Sequence, residues 1–222
     1  MKKKLKINHD KHSYAVFGMG DFGRTVAIEL AKSGADVMAI DHSEERISDV
    51  TDYVTDARIM DVTDIRAYEK IALSNMDGVV IALTGNMDAA IIAILQASEA
   101  GVPEIIVKSA SDVQTEIYKR LGANKIITPE ISEGVRLART LSSTDIFDFV
   151  ALRDEICMLE LQVPEEWAGK TLAELQLRTR YQLNVISILG AESANLVIDS
   201  ALRLNAGDHV LVVTDRKTAE AL

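Results

Sequence analysis

Short apolar runs alternate with amphipathic stretches along residues 14–128. The amphipathic stretches place apolar residues three or four positions apart, as Phe22, Val26 and Leu30 do, and this spacing is typical of a helix with one buried face. Strands that alternate with helices at this interval predict a parallel, doubly wound α/β sheet of the Rossmann type. The predicted strands are residues 14–17, 37–40, 57–60, 78–83, 105–107 and 125–128.

The pattern changes after Pro129, where helical spacing continues to about Leu141. An apolar segment at residues 146–150 follows, and either it packs on its own domain or it crosses to a neighbouring subunit. Beyond residue 151 the pattern predicts a small α+β domain. Its predicted elements are strands at 157–163, 184–189 and 210–213, helices at 171–181 and 217–222, and a turn at 205–208. We therefore predict a basic flexible leader, a larger domain, a crossover segment and a C-terminal domain, with limits at 1–12, 13–142, 143–152 and 153–222.

A glycine-rich turn follows the first predicted strand directly, with the spacing G-x-G-x-x-G at residues 18–23. Gly18 allows a tight turn, Gly20 lets a pyrophosphate approach the backbone, and Gly23 lets the helix pack close to the strand. The N-terminus of the helix then offers free N–H groups and a partial positive charge to phosphate. This context predicts a nucleotide site; the alternative is a Rossmann fold whose glycines serve only packing.

An acidic residue completes the nucleotide-binding pattern. Asp41 ends the second predicted strand, eighteen residues after Gly23. A carboxylate at this position accepts hydrogen bonds from the hydroxyls of an adenosine ribose and repels a 2′-phosphate, which argues against NADP.

Right-handed crossovers bring the carboxyl ends of all these parallel strands to one edge of the sheet, where ligands of such sheets bind. The candidate nucleotide-binding residues at that edge are Gly18, Met19, Gly20, Asp21, Phe22, Gly23, Asp41, His42, Asp61, Val62, Thr63, Leu83, Thr84, Gly85, Asn86 and Lys108.

Composition narrows the class of protein. The 222 residues carry a net charge of −10, which argues against a nucleic-acid partner. The lysines at positions 2, 3, 4 and 6 are more simply a solvated tail than a membrane contact. No signal-peptide core follows them, and no apolar run approaches the roughly 20 residues of a membrane span, so we expect a soluble intracellular protein. The one cysteine, Cys157, excludes an internal disulfide and is expected to be a buried small hydrophobe.

Catalytic groups are poorly placed in the sequence. A dehydrogenase needs an acid–base residue beside the nicotinamide. His9 and His12 lie in the leader, His42 lies on the adenosine side, and His209 lies in the far domain. No Tyr-x-x-x-Lys, no Walker lysine and no His/Cys metal cluster occurs in the sequence. A nucleotide pocket without catalytic residues predicts a sensor rather than an enzyme. The alternative is a small NAD(H)-dependent oxidoreductase.

Several stretches together resemble a known family. They are YAVFGMGDFG, VMAID, VIAL, IIVKSAS, LGANKIITPE and LRTRYQLNVISI. Over about residues 13–214 the chain resembles the cytosolic RCK proteins (regulators of potassium conductance) of bacterial Ktr and Trk potassium-uptake systems. The resemblance implies an RCK-N domain, a crossover and an RCK-C domain. It also implies dimers that assemble into an octameric ring beneath a membrane-embedded translocator of the KtrB or TrkH type. Because residues 146–150 are apolar, we predict that they are buried against another subunit of such an assembly.

The same resemblance implies that ATP, ADP or NAD(H) binds as a conformational signal without turnover. The glycine turn would face the phosphates, Asp41 would hold the ribose, residues 61–63 would hold the adenine, and Lys108 would lie near the phosphates. Glu130 matches a carboxylate at the dimer interface that helps bind a divalent cation, Mg²⁺ or Ca²⁺, beside ATP. Asp21 departs from the family, which usually has an arginine there that reaches phosphate oxygens. An aspartate repels a γ-phosphate instead, which makes ADP, AMP or NAD(H) more plausible ligands.

A second ligand site is a weaker implication of the resemblance. Some relatives bind cyclic di-AMP in the RCK-C domain, and Leu172, Arg178 and Asn184 resemble that pattern. A proline common there is missing from residues 197–200. Arg178 and Asn184 are equally well explained as ordinary surface and turn residues. A nucleotide or cyclic di-AMP sensor that acts on another target is therefore a third hypothesis.

Overall fold

The computed structural model describes residues 12–142, 146–153, 156–190, 194–195 and 197–221. The chain divides into two units, Met1–Glu130 and Ile131–Leu222. The predicted leader at 1–12 lies outside the described residues, apart from His12. In the part of the chain that the structure describes, no helix has both the length and the apolar character that a lipid bilayer requires.

The first unit is a six-stranded parallel sheet with helices between its strands. Its elements are β1 (Ser13–Phe17), α1 (Asp21–Lys32), β2 (Asp36–Asp41), α2 (Glu44–Ser48), β3 (Asp56–Ile59), β4 (Gly78–Ile81), α3 (Met87–Glu99), β5 (Glu104–Lys108), α4 (Asp112–Arg120) and β6 (Lys125–Ile127). The strand order is β3-β2-β1-β4-β5-β6, and every adjacent pair is parallel. The predicted doubly wound fold is therefore confirmed.

The central strands form the core of this unit. All four residues of β4 are buried, as expected for a parallel strand that is covered on both faces. Helix α3 packs its small residues Ala89, Ala90 and Ala93 into the same core, where short side chains allow a close approach. Between β3 and β4 the chain forms a short 3₁₀ helix, Ile65–Lys70, capped by Asp64. Its six residues make about two turns, and short 3₁₀ helices are common connectors between elements.

The second unit is built on an antiparallel sheet. Its elements are α5 (Pro129–Ser142, which begins in the first unit), β7 (Ile146–Arg153), β8 (Ile156–Gln162), α6 (Leu172–Leu175), α7 (Leu177–Arg180), β9 (Asn184–Leu189), β10 (Ala194–Asn195), β11 (His209–Asp215) and α8 (Arg216–Ala221). The order is β10-β9-β11-β8-β7. Cys157 is fully buried in the hydrophobic core of this unit, as predicted. The small α+β domain is therefore confirmed.

One predicted helix differs from the structure, and one open alternative is resolved within the chain. The single helix expected at 171–181 is broken at Gln176, whose φ of 50° lies in the left-handed region and ends α6. The apolar segment at 146–150 is part of β7, which pairs antiparallel with β8 of the same chain. Packing on its own unit is thus the arrangement described, although Phe147 remains 48% exposed. The domain limits at 142 and 152 stay predictions.

Candidate functional site

The carboxyl ends of β1, β2, β4 and β5 open onto a cavity of about 700 Å³ in the first unit. Every predicted nucleotide-binding residue except Met19 and Gly85 lines it. The lining residues are Gly18, Gly20, Asp21, Phe22, Gly23, Asp41, His42, Arg46, Met60, Asp61, Val62, Thr63, Ala82, Leu83, Thr84, Asn86, Ala89, Lys108 and Glu130. The Met19 side chain is instead buried in the core, and Gly85 lies in the turn after β4.

Two glycines of the turn are required by the fold itself. Gly18 has a φ of +91°, and a Cβ there would lie 2.7 Å from the carbonyl oxygen of Ala82. A Cβ on Gly23 would lie 1.9 Å from the carbonyl oxygen of Gly18. Real Cβ atoms do not approach backbone oxygens this closely, so any side chain at Gly23 would push helix α1 away from β1.

Gly20 is different, because no contact among the described residues requires a glycine there. Its φ of −66° and ψ of 178° describe an extended backbone that any residue adopts, and a Cβ would meet no atom within 4 Å. Gly20 is also the N-cap of α1, and no side chain caps the first turn. The missing side chain therefore keeps space open in front of the helix N-terminus, where an anion is stabilised.

Asp41 fixes the turn to the end of β2. Its carboxylate is 4% exposed and accepts hydrogen bonds from the backbone N–H of Met19 at 2.7 Å and of Ser43 at 2.9 Å. His42 Nδ1 lies 3.1 Å away and Arg46 Nη1 lies 3.7 Å away. An ionised carboxylate has about four lone-pair sites, so Asp41 can hold the turn and still accept a hydrogen bond from a ligand in the cavity.

Asp61 and Thr63 form a second fixed group on the same edge. Asp61 Oδ1 accepts a hydrogen bond from the Thr63 hydroxyl at 2.7 Å and from the Thr63 backbone N–H at 2.9 Å. These two bonds, the hydroxyl first, lower the pKa of Asp61. Asp61 therefore presents a fixed carboxylate to the cavity, which Asp41 also lines.

The first turn of α1 carries charges that are already paired. Asp21 points into solvent, and its Oδ1 lies 3.1 Å from Arg24 Nη2. The other end of the same guanidinium lies 3.3 Å from Asp49 Oδ2. Arg24 is thus held by two carboxylates, and Asp21 adds negative charge to the cavity lining where the family resemblance implies an arginine.

Lys108 and Glu130 form an ion pair in the cavity lining. Lys108 Nζ lies 2.5 Å from Glu130 Oε1, and the Lys108 side chain is only 9% exposed. The hydrogen bond from Lys108 is the main cause that lowers the pKa of Glu130. No group of three or more His, Cys, Asp or Glu side chains suited to a metal ion occurs within residues 12–142 or the other described ranges.

The residues proposed for a second ligand also come together. Leu172, Arg178 and Asn184 line a separate cavity of about 640 Å³ in the second unit. Gln176, with its left-handed backbone, lines the same cavity between α6 and α7. The geometry thus assembles the three side chains in one place, and what they bind stays a prediction.

Comparisons with known proteins assign the family. Residues 14–129 match the TrkA-N domain, and residues 158–222 match the TrkA-C domain. The chain is 32% identical over 178 residues to Ktr system potassium uptake protein C of Bacillus subtilis (strain 168), and the match covers 80% of each chain. The chain belongs to this family of Ktr and Trk potassium uptake proteins. It is also 32% identical over 203 residues to Ktr system potassium uptake protein A of Vibrio alginolyticus, covering 90% of this chain and 91% of that protein.

A solved structure supports the same architecture for this TrkA-N/TrkA-C chain. The GsuK channel bound to NAD aligns over 96% of the chain with a TM-score of 0.65 and 15% identity. The chain spans 39% of that channel's length, so the likeness concerns the fold alone.

Four lining residues of the TrkA-N cavity were not predicted. Arg46 lies on α2, five residues after Asp41. Its place in the lining could have been predicted from Ser43, because a serine N-cap marks the start of this helix just after β2. Met60, Ala82 and Ala89 contribute apolar surface. Their composition does not distinguish them from core residues, so the sequence carries no signal for them.

We expect Asp41→Ala to weaken binding of adenine nucleotides by about 1–3 kcal/mol, because it removes a charge-assisted acceptor. The Met19 N–H also loses its partner, so the free energy of unfolding should fall. Calorimetric titration with ADP measures the first effect, and urea unfolding without nucleotide measures the second. Asp41→Asn keeps one oxygen acceptor and should therefore lose less ADP affinity and less free energy of unfolding than Asp41→Ala. Unchanged ADP affinity in Asp41→Ala would remove this residue from the ligand site.

Proposed function

We propose that the protein is a cytosolic, nucleotide-binding regulatory subunit of a potassium uptake system, which changes shape on ligand binding. Family membership supports the link to potassium uptake, because the relatives named above are potassium uptake proteins. Gly20 is the observation that carries the nucleotide site, since the fold needs no glycine there and a phosphate does.

An adenine nucleotide, ADP or ATP, or the dinucleotide NAD(H), fits the cavity best. The uncapped first turn of α1 would hold the phosphates, Asp41 the ribose hydroxyls, and residues 61–63 the adenine. The carboxylate of Asp41 disfavours a 2′-phosphate and so argues against NADP. We assign these residues the roles of binding and orienting the nucleotide, and none of them a catalytic role.

We propose regulation without turnover rather than catalysis. His42 is the one histidine among the described lining residues, and it lies beside Asp41 at the end assigned to the ribose. A nicotinamide held at the far end would have no histidine or tyrosine of the described lining beside it. This arrangement favours a sensor over the alternative, an NAD(H)-dependent oxidoreductase.

The metal proposed at Glu130 does not fit a single chain. One carboxylate, already paired with Lys108, supplies too few oxygen ligands for Mg²⁺ or Ca²⁺. A divalent cation there would need ligand phosphates or a second copy of the chain.

For the cavity in the TrkA-C domain we propose cyclic di-AMP as a second ligand, supported by the convergence of Leu172, Arg178 and Asn184. A sensor of that ligand acting on another target is the remaining candidate function.

Assembly into dimers and then an octameric ring, bound to a membrane-embedded translocator of the KtrB or TrkH type, is part of the proposal. Exposed apolar side chains on α5 support an interface between copies. They are Ile131, Val135, Leu137 and Leu141, exposed by 46%, 47%, 60% and 77%. Four large apolar side chains this exposed on one helix are unusual on a surface that meets only water. The protein would then lie at the inner face of the membrane through its partner.

The assembly proposal is tested by the mass of the protein in solution. We expect multi-angle light scattering at micromolar concentration to report a dimer or a multiple of it, most readily an octamer. Replacing Leu137 and Leu141 on α5 with glutamate should lower that mass, because it places charges in the proposed interface. A stable monomer of the unaltered chain would contradict the ring.

The control mechanism is tested at Asp21. We expect the protein to bind ATP no better than ADP without a divalent cation, because the Asp21 carboxylate repels a γ-phosphate. Asp21→Arg should raise ATP affinity relative to ADP by about tenfold, the effect of one charge-assisted hydrogen bond.

The matched control for that experiment is Asp112→Arg, which makes the same charge change in the first turn of α4, outside the cavity lining. Both nucleotides should bind this variant as they bind the natural protein. Titrations run in EDTA and again in Mg²⁺ separate the charge of Asp21 from any metal effect. Strong preference of the natural protein for ATP in EDTA would show that this interpretation of Asp21 is wrong.

A further inference from the structure

The Lys108–Glu130 ion pair lines the cavity, so a charged ligand bound there would interact with both side chains. Lys108 ends β5 with its side chain 91% shielded from water, whereas the Glu130 side chain is 64% exposed. The Lys108 ammonium also lies 5.5 Å from the centre of the Phe22 ring, which belongs to the first turn of α1. The lysine is therefore fixed between Glu130 and the helix start that would hold phosphates.

Few other cations are available to a phosphate in this cavity. Arg46 and Lys108 are the two lysine or arginine side chains among the described residues that line it. Arg46 lies on the side of Asp41, and Arg24 is engaged by Asp21 and Asp49. Lys108 is thus the cation next to the end of the cavity that we assign to the phosphates, and it is already paired with Glu130.

We propose that Glu130 is a specificity-determining residue, whose carboxylate competes with the ligand's phosphates for the Lys108 ammonium. This inference rests on the proposed nucleotide site. In the absence of a divalent cation, a bound phosphate attracts Lys108 and repels Glu130, so binding weakens or breaks the pair. Glu130 therefore lowers the affinity for every ligand that places negative charge beside Lys108, and it leaves the affinity for an uncharged nucleoside unaltered.

The position of Glu130 in the chain links this competition to the start of helix α5. Glu130 is the last residue of the first unit and the second residue of α5, and the rest of α5 belongs to the second unit. A ligand that takes Lys108 releases the side chain at the start of this helix. The ion pair thus converts phosphate binding into a change at the segment of chain that joins the two units.

The test is a set of calorimetric titrations in EDTA with ADP and adenosine as probes. We expect Glu130→Gln to tighten ADP binding by about threefold to tenfold and to leave adenosine unchanged. Lys108→Met should weaken ADP binding, and Glu130→Gln made on top of Lys108→Met should give a smaller gain than Glu130→Gln alone, because only the direct repulsion between Glu130 and phosphate remains to be removed. Glu133→Gln is the matched control, because it removes the same charge from α5 outside the cavity lining and should leave both affinities unchanged.

Each result decides the matter. Unchanged or weaker ADP binding in Glu130→Gln overturns the competition, and so does a gain of equal size for adenosine. If Lys108→Met fails to fold, the comparison of ADP with adenosine in Glu130→Gln, which changes an exposed side chain, still decides. Absence of ADP binding in the natural protein would overturn the proposed nucleotide site itself, and the two failures are therefore distinguishable.

Discussion

The TrkA-N cavity depends on two backbone segments that approach each other more closely than any side chain allows. The carbonyl of Gly18 occupies the space that a Cβ of Gly23 would fill, so helix α1 begins directly against the end of β1. The buried carboxylate of Asp41 then ties the turn to the end of β2 through the Met19 N–H. Backbone packing and one buried acceptor thus place the helix N-terminus at the mouth of the cavity, and the remaining site residues are arranged around it.

The cations in and beside this site are already paired with carboxylates of the protein before any ligand binds. Arg24 is held by Asp21 and Asp49, and Lys108 is held by Glu130. A ligand therefore gains its electrostatic stabilisation by exchanging partners, not by meeting unpaired cations. Exchange of this kind suits a regulatory protein, because a ligand shifts a conformational equilibrium only through contacts that differ between the two shapes.

The fold and the edge that carries the cavity were predictable because both follow from short-range patterns. Apolar runs alternating with helical spacing specify a parallel sheet, and parallel topology gathers the strand ends that carry Gly18, Asp41 and Lys108. The Lys108–Glu130 pair was not predictable, since each residue was assigned a separate role and only tertiary structure brings them together. The break at Gln176 was also missed, because a non-glycine residue with positive φ leaves no mark in the apolar pattern.

The central claim is that the space in front of Gly20 exists for a phosphate. The measurement that tests it most directly is ADP titration of Gly20→Ser beside the natural protein. Serine is a favoured N-cap, so urea unfolding without nucleotide should show no loss of stability. Its side chain would fill the open space and accept a hydrogen bond from the first turn of α1, so we predict ADP affinity at least about tenfold weaker. Equal ADP affinity in the two proteins would contradict the account.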